Sequence, residues 1–286
     1  MIRRLTLVGL GLLGGSIARA ARAEGLAAEI AAVGRDAARL EPARADGAID
    51  VATTDLAEGL RGAELCVLCT PVATLRAVLP EVWRAAPGGC VVTDVGSTKA
   101  AIVALAQRLH DTRPVPFVGS HPMAGSEQSG YAAARPDLFR GALVIVTPTD
   151  RVEPAHAKRV VEFWEALGAR VTEMDPEHHD RAVAAVSHLP HLVADALVAA
   201  VLGMDPGFLD VAGAGFRDTT RIAAASPRVW REIFQENGEA LAGALAAFRR
   251  ALGDLERLVA TGAADAVEAE LDRIRLARAG MGRPAR

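Results

Sequence analysis

The apolar positions of the first 175 residues fall into short runs that alternate with longer alanine-rich stretches. Short β-branched or apolar runs predict buried strands, and the alanine-rich stretches between them predict helices. Alternating strands and helices build a parallel sheet that is covered by helices. The predicted strands are Leu5 to Val8, Ile30 to Val33, Leu65 to Leu68, Cys90 to Thr93, Pro116 to Val118, Leu143 to Val146 and Val171 to Met174.

The pattern changes after Pro176, where apolar residues recur three or four positions apart, a spacing typical of helices. This spacing is carried by Val186, Leu189, Val193, Leu197 and Val201. The hydrophobic pattern therefore predicts an α/β domain over residues 1–175 and an all-helical domain over residues 176–286.

A later helical stretch has apolar residues spaced alternately four and three positions apart, as in a helix seam. Two interpretations fit this seam. It is either a core helix of the domain or a homodimer interface, because long apolar helices on a small domain often pair across a two-fold axis. Its residues are Leu241, Leu245, Phe248, Leu252, Leu255 and Val259.

The composition narrows the class of protein. The 286 residues correspond to about two domains at roughly 150 residues each. Lys and Arg total 32 against 35 Asp and Glu, so no basic surplus favours nucleic acid as a partner. Three cysteines do not form a disulfide framework in a chain of this length and predict a reducing cytoplasm. Glycines interrupt the apolar N-terminus, so we expect neither a signal peptide nor a membrane span.

A glycine-rich turn indicates a dinucleotide site. The segment Gly9-Leu10-Gly11-Leu12-Leu13-Gly14 matches the pattern G-x-G-x-x-G. It follows a predicted strand directly and opens a predicted helix from about Leu12 to Ala23, which is the context of a Rossmann-type domain. Gly9 permits the tight turn, Gly11 lets the backbone approach a pyrophosphate, and Gly14 lets the helix pack closely on the sheet. Leu12 and Leu13 complete the predicted contact.

The end of the second strand bears on which cofactor fits. NAD-binding domains place an acid there to accept hydrogen bonds from the ribose hydroxyls. This chain has Gly34 at that place, followed by Arg35 and Asp36. Arg35 can hold the 2′-phosphate of NADP, whereas Asp36 reaches the NAD ribose only if the turn is shifted, so the residues lean slightly toward NADP. The loop Thr70-Pro71-Val72 crosses the same sheet edge and is predicted to contact the cofactor.

Two loops that follow predicted strands carry candidate catalytic residues. Ser97, in Asp94-Val95-Gly96-Ser97-Thr98-Lys99, can cap a helix that begins near Lys99 and can also contact a ligand. His121 lies in Gly119-Ser120-His121-Pro122-Met123-Ala124-Gly125-Ser126-Glu127. Oxidation of an alcohol by NAD(P) needs a base with a pKa near neutrality, which predicts His121 as the base.

The helical half carries further polar motifs. His188 and His191 lie three apart in Ser187-His188-Leu189-Pro190-His191 without a third ligand of suitable spacing, so no metal site is predicted. The segment His178-His179-Asp180 is interpreted as a polar helix N-terminus. Arg217 and Arg221 lie four apart with Asp218 between them, a spacing that fits either anion binding or a surface salt-bridge ladder.

Cys66 and Cys69 have the spacing of a redox or metal pair, but they lie in an apolar run that predicts a buried strand. We therefore interpret the thiols as structural.

These motifs together resemble the prephenate and arogenate dehydrogenase family, over nearly the whole chain. The histidine loop and the two helical-half motifs, in this order, are its most specific part. The matching segments are Gly9 to Gly14, the Asp94-x-Gly96-Ser97-x-Lys99 loop, Gly119 to Glu127, Ser187 to His191, and Gly215 to Ala223 with Trp230.

The resemblance implies a Rossmann domain for the nucleotide, a helical domain that dimerises, and a substrate cleft between them. The implied reaction converts prephenate to 4-hydroxyphenylpyruvate, a step of tyrosine biosynthesis. His121 would take the proton of the ring hydroxyl during hydride transfer, and loss of carbon dioxide would make the ring aromatic. Tyrosine inhibition, where it occurs, would act in the same cleft.

The resemblance also implies roles for five further residues. Ser97 would orient His121 and the substrate hydroxyl, and His188 and Arg221 would anchor substrate carboxylates. Asp218 and Trp230 would shape the cleft.

Three alternatives stay open at this point. Prephenate and arogenate differ in a keto or amino group far from the hydride, and no motif reads that end. Another two-domain hydroxyacid dehydrogenase, or a nucleotide sensor without catalysis, would share the domain order. Against another dehydrogenase, the discriminating feature is the His121 loop combined with Arg221. A sensor would bind NADP without turnover of any hydroxy or dienol acid.

Overall fold

The computed structural model describes residues 1–126 and 128–280. Glu127 of the histidine loop and residues 281–286 of the predicted helical domain lie outside the described residues.

The first part of the chain alternates strands and helices. The strands are β1 (Ile2–Val8), β2 (Ala27–Val33), β3 (Val51–Thr53), β4 (Leu65–Leu68), β5 (Val91–Asp94), β6 (Phe117–Pro122), β7 (Leu143–Thr147) and β8 (Arg170–Glu173). The helices are α1 (Leu12–Ala23), α2 (Glu41–Ala45), α3 (Leu56–Leu60), α4 (Val72–Ala85), α5 (Ala100–His110) and α6 (Pro154–Ala166).

All eight strands belong to a single sheet in the order β3-β2-β1-β4-β5-β6-β7-β8. Its two faces carry separate apolar cores. Ile17 of α1 and Trp164 of α6 pack on one face, and Leu79 of α4 and Ile102 of α5 pack on the other. Each such side chain stabilises the fold by about 1.5–3 kcal/mol on burial. The α/β class predicted from the hydrophobic pattern is confirmed.

Two details of the sheet differ from the prediction. β3 was not predicted, because its three residues are too few to show a pattern. A wholly parallel sheet was also wrong, because β7 runs antiparallel to β6. The described residues between these strands contain no α-helix, only the 3-10 turn Tyr131–Ala133. Without a crossover helix the chain returns in the opposite direction.

After β8 the described chain is helical. Its elements are α7 (Pro176–Val183), a π-helical turn (Ala184–His188), α8 (Leu189–Met204), α9 (Ala214–Thr220), α10 (Pro227–Glu236), α11 (Gly238–Thr261) and α12 (Ala264–Ala279). The 3-10 turns Pro206–Val211 and Arg221–Ala224 connect α8, α9 and α10. The predicted division between residues 175 and 176 falls in the passage from β8 to α7, and its meaning as a domain boundary stays a prediction.

The first three helical elements form one helix over Pro176–Met204. Among the described residues it is the one helix long and apolar enough to cross a membrane, by length and composition alone. The helical spacing of Val186 to Val201 predicted a helix here, but no membrane span was predicted from it. Only 17% of its most apolar window is buried within the chain. An apolar face of this kind is also what a helix at a subunit interface presents.

The seam residues of α11 divide into two groups. Leu241 at its N-terminal end is buried, whereas Leu252 is 53% exposed and Val259 is 69% exposed. A core helix thus accounts for the first turns only. The later turns leave an apolar stripe uncovered by the described part of the chain.

Candidate active site

The glycine turn between β1 and α1 has the geometry of a nucleotide cradle. Gly9 has φ +97°, and a Cβ on Gly14 would lie 2.2 Å from the Gly9 carbonyl oxygen. A Cβ on Gly11 would meet no atom within 4 Å in the part of the chain that the structure describes. Gly9 and Gly14 are therefore required by the chain's own packing, whereas Gly11 faces open space. Leu12 and Leu13, in the first turn of α1, pack on the sheet core.

Thr70 adds a polar group beside this turn. Its Oγ1 is buried and has no hydrogen-bond partner among the described residues. Its Cγ2 would lie 3.0 Å from a Cβ on Gly9, which places the side chain against the turn. An unpaired buried hydroxyl costs free energy unless a ligand satisfies it. Together with the open space at Gly11, it fits a bound dinucleotide. Pro71 is exposed at the same edge, and Val72 begins α4.

The two residues predicted to select the cofactor, Arg35 and Asp36, have different environments in the segment after β2. Asp36 Oδ1 accepts a hydrogen bond of 3.0 Å from the Ala38 amide and caps the 3-10 turn Ala37–Arg39. Asp36 Oδ2 also lies 3.7 Å from Arg39 Nε. Arg35 is exposed and has no ion-pair partner in the part of the chain that the structure describes. The carboxylate is thus engaged by its own turn, and the guanidinium is available.

His121 ends a hydrogen-bonded chain of side chains that begins in the helical half. His121 lies on β6, and its Nδ1 is 2.9 Å from Nε2 of His179 on α7. The Nδ1 of His179 lies 2.7 Å from Oδ1 of Asp180. Asp180 in turn accepts hydrogen bonds from the amides of Lys99 (2.7 Å) and Ala100 (2.9 Å). Because His179 engages Nδ1 of His121, Nε2 is the nitrogen left for a substrate.

Burial sets the protonation states of His121 and Asp180 in this hydrogen-bonded series. Desolvation holds the pKa of His121 well below its usual value, and His179, Lys99 and His188 lower it further. Burial alone would raise the pKa of Asp180, but hydrogen bonds from His179 and from the Lys99 and Ala100 amides leave it lowered. His121 is therefore a neutral imidazole and Asp180 a carboxylate at neutral pH.

A buried ion pair between Lys99 and Asp94 holds the two ends of the Ser97 loop together. Lys99 Nζ bonds Asp94 Oδ2, and both side chains are fully buried. The same carboxylate accepts the Gly96 amide at 2.8 Å and the Ser120 amide at 3.1 Å. Burial lowers the pKa of Lys99, while Asp94 opposes that change. The pair joins the loop after β5 to the residue that precedes His121.

Ser97 itself is half-buried in this loop. It is not the cap of α5, because the carboxylate of Asp180 accepts the first amides of that helix. Within the described residues no hydrogen bond links Ser97 to His121. Its predicted role in orienting His121 stays a prediction.

His188 and Trp230, which the resemblance places in the substrate cleft, lie close together. Their rings meet edge to face at 6.1 Å, and Trp230 stacks on His191 at 3.5 Å. His188 Nδ1 lies 3.2 Å from Nδ2 of Asn237, whose amide also donates to the Asp180 carbonyl at 2.8 Å. Burial lowers the pKa of His188 to about 4. His188 is thus a neutral residue whose Nε2 carries the proton, able to donate to a carboxylate.

Trp230 also lines a cavity of about 560 Å³ at the helical end of the site. Its other walls are His191, Asp195, Ala223, Ala225, Pro227, Arg231, Phe234 and Gln235.

Arg221 and Asp218 do not form the salt-bridge ladder. α9 ends at Thr220, and Arg221 begins a 3-10 turn, so the two arginines do not share one α-helical face. Arg217 donates to the Ala212 carbonyl at 2.6 Å, and no ion pair joins it or Arg221 to Asp218 within the described residues. Arg221 and Asp218 are exposed and lie on the segment that lines the cavity through Ala223.

The three thiols are free and lie in the sheet core or at its edge. Burial raises the pKa of Cys66 and Cys69, and it raises that of Cys90 to about 12. These thiols stay protonated and unreactive, as the apolar run around them predicts.

Sequence reasoning missed three residues of the site: His179, Asp180 and Asn237. The polar triple at the start of α7 was interpreted as a polar helix N-terminus, yet His179 has no exposed surface and Asp180 is 6% exposed. The cap of that end is Asp175, whose Oδ1 accepts a hydrogen bond of 2.7 Å from the His178 amide. Adjacent residues in one polar run here have opposite environments, which the pattern alone does not reveal.

Two family models match nearly all of the chain. Residues 17–173 match the model described as "Prephenate dehydrogenase, nucleotide-binding domain", and residues 175–273 match "Prephenate dehydrogenase, dimerization domain".

Curated relatives agree with these matches. Cyclohexadienyl dehydrogenase of Zymomonas mobilis is 34% identical over 264 residues, which are 90% of this chain and 88% of that protein. Prephenate dehydrogenase of Bacillus subtilis is 35% identical over 237 residues, which are 82% of this chain and 64% of that protein.

Solved structures share the whole architecture. Prephenate dehydrogenase from A. aeolicus, in complex with hydroxyphenyl propionate and NAD+, has a TM-score of 0.91 and 34% identity over 97% of this chain and 98% of that one. Synechocystis arogenate dehydrogenase has a TM-score of 0.85 and 31% identity over 96% of this chain and 98% of that one.

Proposed function

Because this chain belongs to the prephenate dehydrogenase family, we propose that it catalyses the oxidative decarboxylation of prephenate to 4-hydroxyphenylpyruvate with NAD(P). The observation that carries the proposal is the buried, neutral His121 at the end of β6. Its free Nε2 lies at the sheet edge that carries the glycine turn, where a substrate hydroxyl and a nicotinamide can meet.

His121 acts as the base. Its Nε2 takes the proton of the ring hydroxyl while the carbon that carries this hydroxyl loses a hydride. The bond from the ring to its carboxylate then breaks, carbon dioxide leaves, and the released electron pair makes the ring aromatic. The product oxygen is a phenol, so His121 returns its proton to that oxygen. When bound, the nicotinamide supplies the hydride acceptor.

Two side chains anchor the substrate in this proposal. His188 donates from Nε2 to one carboxylate, because its Nδ1 already accepts from Asn237. The exposed guanidinium of Arg221 binds a second carboxylate, and hydrogen bonds to charged groups contribute roughly 1.5–3 kcal/mol each. Ser97 orients the hydroxyl toward His121, and Asp218 and Trp230 shape the cleft.

We propose that the chain prefers NADP over NAD. The support is that Arg35 is exposed and free while Asp36 caps its own turn. Arg35→Ala should raise the KM for NADP by at least tenfold and leave that for NAD within threefold, because only NADP carries a 2′-phosphate. Arg44→Ala, which removes an arginine paired with Glu41, is the control. Equal effects on both cofactors would remove the basis of the NADP preference.

Arogenate is the second candidate substrate. The similarity to Synechocystis arogenate dehydrogenase supports it, since that enzyme covers 96% of this chain. The deciding experiment measures nicotinamide reduction with prephenate and with arogenate, each with NAD and with NADP. Turnover with prephenate supports the proposal, and turnover with arogenate alone replaces it with the second candidate. A folded protein that binds nucleotide but turns over neither substrate contradicts both.

We also propose that tyrosine, which resembles the product, inhibits by competing with prephenate in this cleft. A tyrosine titration should raise the KM for prephenate and leave kcat unchanged. A fall in kcat at constant KM would place any tyrosine site elsewhere.

A further inference from the structure

Three side chains from both halves of the chain form a hydrogen-bonded series behind the base. His121 Nδ1 meets His179 Nε2 at 2.9 Å, and His179 Nδ1 meets Asp180 Oδ1 at 2.7 Å. The two imidazoles meet edge to face, with centroids 5.1 Å apart. His179 has no exposed surface, so no water competes for these contacts. His179 is hydrogen-bonded to the base, and among the described residues no hydrogen bond joins its side chain to Ser97, His188 or Arg221.

The order of donors and acceptors in this series is fixed by its last member. A carboxylate only accepts hydrogen bonds, so His179 must carry a proton on Nδ1. With one proton on each imidazole, Nε2 of His179 is then an acceptor, and His121 must donate to it from Nδ1. Nε2 of His121 is left without a proton, which is the form that can take one from a hydroxyl.

We propose that His179, held by Asp180, is a positioning residue that fixes the tautomer and the ring orientation of His121 and stabilises the imidazolium formed during turnover. The proposal rests on the proposed function of His121 as the base. It assigns a part to a residue that neither the family motifs nor the spacing of polar residues singled out.

The charges around the series favour this part. Asp180 supplies one negative charge behind His179, and the amides of Lys99 and Ala100 hold that carboxylate in place. The positive charge of Lys99 is already balanced by Asp94. A proton arriving at His121 therefore finds one uncompensated carboxylate two residues along the series. Asn237, which is uncharged, donates to the Asp180 carbonyl at 2.8 Å and lies 3.2 Å from His188 Nδ1.

The series also makes the base depend on how the two halves are docked. His121 belongs to the sheet, whereas His179 and Asp180 belong to α7, and Asp180 is the cap of α5 in the sheet half. Any movement that separates α7 from α5 removes both the partner of His121 and the cap. A correctly oriented base is thus available only in the docked arrangement.

The test compares two substitutions of His179 with one of its neighbour. His179→Phe removes the acceptor, and we expect kcat to fall about 100-fold with the KM for prephenate and for NAD(P) within threefold, as for loss of an orienting group. His179→Gln keeps an oxygen that can accept from His121 Nδ1 and should recover at least tenfold of the loss. His178→Gln, at an exposed position, should keep the parent kcat.

Two kinetic outcomes overturn the proposal. One is a kcat for His179→Phe within threefold of the parent. The other is an equal loss in His179→Phe and His179→Gln, which would mean that His179 serves packing rather than the hydrogen bond. Thermal unfolding and NAD(P) titration of each variant establish that the fold is kept.

A measurement on the unaltered chain decides the case if His179→Phe does not fold. Long-range ¹⁵N–¹H spectra of the histidine-labelled protein at pH 7.5, assigned by loss of signals in His121→Asn, report the tautomer of each ring. We expect His121 to carry its proton on Nδ1. A proton on Nε2 overturns the proposal. Since this result needs no substrate, a chain with the expected tautomer that does not oxidise prephenate would contradict the proposed function alone.

Discussion

At the scale of single residues, the chemistry of His121 follows from burial rather than from its identity. Histidine titrates near neutrality in water, but this ring is 8% exposed and is surrounded by His179, Lys99 and His188. Each of these effects favours the neutral form. The sequence indicates a base, and its environment decides the pH range in which it works.

Replacing the base tests this directly. His121→Asn should reduce kcat by on the order of 10²- to 10⁴-fold and leave NAD(P) binding intact, because only proton transfer is lost. In the parent, the pKa of His121 lies well below 6.5, so kcat/KM should stay level through pH 6.5 and fall only at lower pH. Stopped-flow and steady-state rates across pH measure both. An acid limb centred at pH 6.5 or above would contradict the buried neutral base.

His188 links the site to stability. Its pKa is about 4 in the folded chain against 6.5 unperturbed, so the unfolded chain binds the proton more tightly. Stability is then complete above pH 6.5 and is lost as the pH falls from 6.5 toward 4. Protonation of His188 at low pH should lower the free energy of unfolding by about 3 kcal/mol in total.

Urea unfolding at pH 7.5 and at pH 4.5 measures this loss in the free energy of unfolding. The loss of stability between the two should be smaller in His188→Gln than in the parent, because Gln does not titrate. His178→Gln removes an exposed histidine and should show the parental loss. An unchanged loss in His188→Gln would mean that other groups carry the pH dependence.

At the scale of elements, the glycines of the turn between β1 and α1 have two different roles, packing of the helix and room for a ligand. Gly14 is required because α1 lies against the Gly9 carbonyl, whereas a Cβ on Gly11 would meet no atom of the described residues within 4 Å. One glycine thus serves packing of the helix, and the other leaves room for a ligand. Substitution separates the two roles.

Alanine at each position should give opposite results. Gly14→Ala puts a Cβ 2.2 Å from backbone oxygen, so α1 must shift and the free energy of unfolding should fall by about 1–3 kcal/mol. Gly11→Ala should leave unfolding unchanged and weaken NAD(P) binding at least tenfold, because its Cβ points into open space. Urea unfolding and fluorescence titration measure the two effects. Parental NAD(P) affinity in Gly11→Ala would mean that no pyrophosphate lies at that turn.

At the scale of the whole molecule, the helical half leaves apolar surface exposed in the single chain. Leu252 and Val259 of α11 are more than half exposed, and most of the apolar window of Pro176–Met204 is uncovered. The family model for residues 175–273 is a dimerization domain, which accounts for this surface. The seam recognised in the sequence is therefore buried in the core at one end and is an uncovered apolar stripe at the other.

A charge in that stripe should separate the subunits. Leu252→Asp places a carboxylate in an apolar interface, and we expect the dimer to dissociate at micromolar concentration, since burying an unpaired charge is costly. Sedimentation velocity measures the subunit mass. Arg108→Asp, on an exposed position of α5, should remain dimeric. A dimer that persists in Leu252→Asp would place the interface away from this end of α11.

The sequence by itself determined the α/β order, the glycine turn, the histidine loop and the helical second half. These are local features: alternation of short apolar runs, a fixed motif after a strand, and helical spacing each depend on neighbours within a few residues. Their positions in the chain were sufficient to identify them. The antiparallel β7 was not, because strand direction depends on a connection that only the folded chain shows.

Tertiary structure decided which polar residues reach the base. A π-helical turn over Ala184–His188 adds a residue to the helix, which brings Asp180 and His188 onto one side, where Asn237 bonds both. The packing of α7 also buries His179 and leaves His178 exposed. Sequence spacing assumes a regular helix and does not contain the surface against which the helix packs. The assembly of the base with its partners was therefore fixed only by the docking of α7 on the sheet.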